Sequence, residues 1–111
     1  MNKRRQDRVD CDIILNKIEQ GAMNIARATN ISLSGMRLHR LLEPYFTTSE
    51  RVRLEVALPG TDEPLWIGAQ KVYEDPEYIG VRFTDISHNH FLRLREWIQS
   101  QSVNAALPMF A

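Results

Sequence analysis

Val52, Leu54, Val56 and Leu58 fall at every second position, the spacing that places side chains on one face of an extended strand. The same period returns along the chain, and no stretch long enough for a crossover helix separates one instance from the next. Val9, Cys11, Ile13 and Leu15 alternate with Asp10, Asp12 and, less cleanly, Ile14, before Gly21 permits a bend. Met23, Ile25 and Ala28 make a second strand, which ends where 30–35 supplies turn residues. Met36, Leu38 and Leu41 begin a third. Residues 43–50, with Pro44 and a Thr-Thr-Ser run, read as loop. Pro59-Gly60-Thr61-Asp62 joins the strand at 52–58 to one at 65–73, and Asp75-Pro76-Glu77 turns into the last at 78–83. Six strands at such short spacing predict an all-β, antiparallel meander, and closure into a barrel best removes the exposed edges.

One helix is expected, at the end. Ser87 is placed to cap it, and Phe91, Leu94 and Ile98 share a face, with Trp97 beside them and Arg93, Arg95 and Glu96 more exposed. The expected organisation is a flexible basic arm at 1–9, a barrel with its helix at 10–101, and a tail at 102–111 that carries Leu107, Met109 and Phe110 as a candidate contact surface.

Composition supports one globular domain: 111 residues, 43% hydrophobic and 25% charged, suffice for one core and not two. Fourteen basic residues balance fourteen acidic ones, so the whole molecule does not attract nucleic acid polymers or anionic membranes. Charge is uneven only at the start, where Lys3, Arg4, Arg5 and Arg8 outweigh Asp7. No apolar run is long enough to span a bilayer and the charged beginning lacks a signal-peptide core, so the expected location is cytoplasmic, without membrane insertion. The single cysteine, Cys11, excludes an intrachain disulfide.

Catalysis finds little support. His88 and His90 lack a carboxylate or cysteine at metal-ligand spacing, so no metal is expected. Ser32, Ser34, Asp85 and His88 lack the strand-to-helix elbow that would expose a nucleophile. Cys11, within an alternating strand, reads as a small core residue. No enzyme is expected, and no cofactor.

Two short constellations remain. Arg4 and Arg8 are spaced Arg-x-x-x-Arg, and guanidinium groups fork onto phosphate oxygens, pair with the O6 and N7 of guanine and stack on rings. Asn30, Ser32 and Gly35 are spaced Asn-x-Ser-x-x-Gly. Side chains alternate along a strand, so Asn30 and Ser32 share a face, and Gly35 allows a positive φ or the close approach of a ligand.

In this order and on this outline the chain resembles the PilZ domain family, whose members bind the bacterial second messenger cyclic di-GMP. The resemblance rests on the arm at 4–8, on Asn30-Ile31-Ser32-Leu33-Ser34-Gly35, on the strand at 52–58, on Ile79-Gly80-Val81-Arg82-Phe83 and on the final helix. It implies a six-stranded antiparallel β-barrel with a C-terminal helix. It further implies that cyclic di-GMP is held by Arg4 and Arg8, with Arg5 supplementary, and by Asn30 and Ser32, while Gly35 keeps the turn. Tyr73 falls near the position where some relatives set an aromatic against a base, and a half-buried strand tyrosine accounts for it equally. The implied role is a receptor or adaptor that orders its arm on binding and signals to an effector protein; a PilZ-like interaction module that binds no nucleotide is the alternative. Monomer and homodimer are both compatible with the sequence.

Overall fold

A computed structural model describes residues 8–43 and 49–106, with side chains to 101. Six strands and one helix occur in order: β1 (Val9–Glu19), β2 (Ala22–Ile31), β3 (Gly35–Leu42), β4 (Arg51–Val56), β5 (Leu65–Glu74), β6 (Tyr78–Ile86) and α1 (His88–Ala106). All neighbours are antiparallel, and the barrel closes in the order β1-β2-β3-β6-β5-β4.

That order departs from a meander. β3 pairs with β6, Gly35 opposite Arg82, and β4 returns to β1, Leu54 opposite Lys17. Between the end of β3 at Leu42 and the start of β4 at Arg51 the chain therefore passes from one side of the barrel to the other. Period-two patterning fixes which face of a strand is buried and is silent on which strand lies beside it.

Inward positions fill the core: Ile13 and Leu15 from β1, Ala26, Ala28 and Ile31 from β2, Met36 and Leu38 from β3, Val52, Leu54 and Val56 from β4, Leu65, Ile67 and Ala69 from β5, Ile79 and Val81 from β6. Leu58, just past β4, and Leu94 and Ile98 of α1 join them. Ser87 caps the helix as expected, its Oγ accepting the backbone N–H of His90 at 3.1 Å. Phe91 is only partly buried, while Trp97 packs against the core.

Two expected boundaries move. Val9 belongs to β1, opposite Ile31, so the arm ends at Arg8 rather than at residue 9. The helix continues through Ala106, so 101/102 lies inside it and is no boundary. The rest of the segment expected as a tail, 107–111 with Leu107, Met109 and Phe110, lies outside the described residues.

The alternation of β1 continues past Leu15 into charge. Lys17 and Glu19 occupy the next inward positions and are fully and almost fully buried, at 0% and 2% exposure. They belong to a closed ring of ion pairs: Lys17 to Glu19 and Glu43 (both 2.6 Å), Glu19 to Lys71 (2.7 Å), Lys71 to Glu74 (3.8 Å), and Arg40 to Glu74 (2.7 Å) and Glu43 (2.8 Å). Three cations alternate with three carboxylates, so the ring is neutral and ties β1, β3 and β5 together. Burial opposes the charge on Arg40, but hydrogen bonds to Glu74 and Glu43 outweigh it and hold the guanidinium's pKa above its ordinary value.

Candidate functional site

Three strand irregularities surround one patch of the barrel wall. The β1–β2 register shifts between Asp10 and Ile13, the β2–β3 register between Ala28 and Asn30, and the β5–β6 register between Lys71 and Tyr73. A bulge inserts a residue and reverses the facing of the residues after it. In β2, Ala26 and Ala28 point inward, and unbroken alternation would send Asn30 inward as well. The extra residue at Thr29 turns Asn30 outward and leaves Ile31 in the core, fully buried. In β5, Leu65, Ile67 and Ala69 point inward, and the same count would bury Tyr73. The extra residue at Val72 turns Tyr73 to the outside, 48% exposed. The half-buried tyrosine expected from the sequence is thus an exposed one.

These reversals build a cleft of ≈ 270 Å³ lined by Arg8, Asn30, Met36, Arg37, Val72, Tyr73, Gly80 and Val81. Arg8 Nη1 donates to Asn30 Oδ1 at 2.6 Å, joining the end of the basic arm to the end of β2. Arg37 stands directly opposite Asn30 on β3. Tyr73 lies across Gly80, whose missing side chain makes room for the ring; a Cβ there would collide with the ring carbons. Among the described residues, two guanidiniums, a carboxamide and an aromatic face line the cleft, and no carboxylate does. Such a lining suits an anion that also carries flat rings.

Ser32 and Gly35 serve the turn between β2 and β3. Ser32 is fully buried, so it does not share an open face with Asn30 as strand alternation predicted; β2 ends at Ile31, and the chain has already turned. The Ser32 Oγ accepts the backbone N–H of Ser34 (3.1 Å) and lies 3.4 Å from the Gly35 carbonyl, and the Ser32 N–H donates to that same carbonyl at 2.9 Å. Among the described residues positive φ occurs at Gln20, Gly21 and Gly60, so Gly35 does not supply it. Gly35 instead admits a neighbouring strand: a Cβ there would collide with the Val81 carbonyl oxygen of β6. Close backbone approach, the second reason for a glycine, holds here for a strand rather than a ligand.

Arg4 and Arg5 lie outside the described residues. Arg37 belongs to neither sequence motif; its signal is its place two residues after Gly35, beside Asn30 once the strands are paired. Among the described residues no group of histidine, cysteine and carboxylate side chains could hold a metal ion, and no helix is long and apolar enough to cross a membrane.

Comparison with known proteins agrees with this architecture. A search of the curated proteins gives no sequence match. Among solved structures, the Bacillus subtilis inhibitor of motility, MotI/DgrA, superposes with a TM-score of 0.75 at 18% identity over 94% of this chain and 53% of that one. The PilZ domain of YcgR from Escherichia coli, solved with c-di-GMP, gives a TM-score of 0.70 at 19% identity, covering 94% of this chain and 95% of that domain. The PilZ domain of CeSA from a cellulose-synthesizing bacterium gives 0.67 at 12% identity over 86% and 98%. The chain therefore spans about half the length of the motility inhibitor and nearly all of the isolated domains. The PilZ domain family model matches residues 2–100. With a match that leaves out only the first residue and the last turns of α1 onward, this chain belongs to the PilZ domain family.

Proposed function

We propose that this PilZ domain is a cyclic di-GMP receptor without a catalytic step, and that the dinucleotide lies in the cleft between the basic arm and the β2–β3 end of the barrel. Arg8 forks onto ligand acceptors, with Arg4 and Arg5 of the same arm supplying further guanidiniums. Asn30 offers its carboxamide to a base edge and Tyr73 a stacking face. Ser32 and Gly35 act through the turn: they hold the backbone after Asn30 and let β3 lie close to β6. The observation that carries this reading is the Arg8–Asn30 hydrogen bond, because it brings the two motifs, twenty-two residues apart, onto one cleft. The motility inhibitor and the c-di-GMP complex of YcgR share the fold, which agrees with this assignment.

A charge-assisted hydrogen bond is worth about 1.5–3 kcal/mol and a desolvated cation–π contact up to about 2, so several suffice for the roughly 8 kcal/mol of micromolar binding. Closing the arm over the ligand creates a composite surface of ligand and arm that an effector protein can distinguish from the free state. Isothermal titration with cyclic di-GMP, GTP and a short single-stranded oligonucleotide tests the assignment. Saturable binding of the cyclic dinucleotide alone is expected, and no heat from it at any concentration refutes the reading.

A further inference from the structure

Arg37 lines the cleft beside Arg8 but is held differently. Its guanidinium lies over the Tyr78 ring, 3.8 Å from the centroid, and makes no hydrogen bond or ion pair among the described residues. Asp75 feels its charge without forming an ion pair with it. Arg40, three residues later on the same strand, is held by Glu43 and Glu74. The tyrosine occupies one face of the Arg37 guanidinium and leaves its planar edge of N–H donors available. Asn30 bonds Arg8 and stands in register with Arg37 on β3 and Asp10 on β1; among the described residues two cations and no carboxylate line the cleft beside this amide. Like charges so arranged disfavour the empty cleft and favour an anion between them.

We propose that Arg37 is a further guanidinium contact of the site, from the barrel wall rather than the arm, directed at a phosphate of the ligand, and that Tyr78 is the residue that positions it. Tyr73 and Asn30 offer a ring face and an amide to a base, which leaves the charged edge of Arg37 for the phosphodiester. Tyr78 also touches His39, with ring centroids 4.9 Å apart, so the ring that supports Arg37 is itself packed on β3. This inference rests on the cyclic di-GMP reading above and adds a residue to it.

The test is titration of the full chain with cyclic di-GMP, alongside thermal melts, for the parent, Arg37→Ala, Arg37→Lys, Tyr78→Phe and Tyr78→Leu. Arg37→Ala is expected to weaken binding by about 10- to 100-fold with an unchanged melting temperature. Arg37→Lys keeps the charge but loses the fork, and should fall between Arg37→Ala and the parent. Tyr78→Leu should weaken binding, and the ring-preserving Tyr78→Phe should restore most of the loss. Combining Tyr78→Leu with Arg37→Ala should weaken binding no further than Arg37→Ala alone, an outcome that a merely structural role for the tyrosine would not give. In the parent, the Arg37 Nε–Hε resonance should move on saturation. A parent that binds and an Arg37→Ala variant that binds equally well would overturn the role of Arg37 and leave the receptor reading standing. A parent that does not bind overturns both.

Discussion

The Tyr73 ring occupies the space above Gly80 where any other residue would carry its side chain. Gly35 is crowded in the same way, but by the backbone oxygen of Val81 rather than by a side chain. The two glycines therefore answer differently to one added methyl group. Gly35→Ala must push β3 from β6 and is expected to cost about 1–3 kcal/mol, read by chemical denaturation. Gly80→Ala needs only the exposed Tyr73 to swing aside, so it should leave stability within about 1 kcal/mol of the parent while reshaping the cleft and weakening cyclic di-GMP binding.

Arg8 bonds Asn30 at an exposed position, so the contact contributes little to the folded state. Arg8→Ala should lower stability by less than about 1 kcal/mol yet weaken the cyclic dinucleotide by at least about tenfold in a titration. A large loss of stability with unaltered binding would make the arm structural.

Lys17 reaches its carboxylates from inside the barrel, with no exposed surface of its own. Lys17→Met keeps the apolar stem and removes the charge, leaving Glu19 and Glu43 each short of a partner. A loss of about 3–5 kcal/mol is expected from denaturant titration, because three carboxylates are then left to two cations in the ring.

The Asp75 carboxylate accepts the backbone N–H groups of Tyr78 (2.7 Å) and Glu77 (2.8 Å), which hold its pKa below the ordinary 3.8. A carboxyl group with a depressed folded pKa stabilises the fold above its unfolded value, and that contribution is lost as pH falls through the folded one. Asp75→Ala should therefore be less stable than the parent at neutral pH. Denaturation curves of the two should converge in the acid range below the ordinary 3.8.

Cys11 is half-buried, and its Sγ donates to the Ala28 carbonyl at 3.4 Å. Burial, then the charges of Asp10 and Asp12, push its pKa up to about 11. The thiol is neutral at physiological pH, so labelling by a thiol-specific disulfide reagent should be slow near neutrality and accelerate as pH rises toward about 11.

Local pattern made the strands, the helix cap at Ser87 and most of the core legible, because burial on a strand obeys a two-residue period and a cap needs only its own first turn. The family resemblance pointed to Arg8 and Asn30, which the fold joins, and to Arg4 and Arg5, which lie outside the described residues. Three features were not legible. Asn30 and Tyr73 face outward because bulges reverse their strands, and a bulge is defined by the partner strand. The burial of Lys17 and Glu19 follows only from β3 and β5, which bring Arg40, Glu43, Lys71 and Glu74 against them. Gly35 read as a turn glycine until Val81 arrived from a strand more than forty residues away.

The order of residues along this chain determined which segments extend, which one coils and which side chains face the core, since those depend on neighbours a few positions apart. Strand order, bulge-set facing and the pairing of buried charges were decided only when distant segments met. Each is a relation between two backbones, and a single strand contains only one of them.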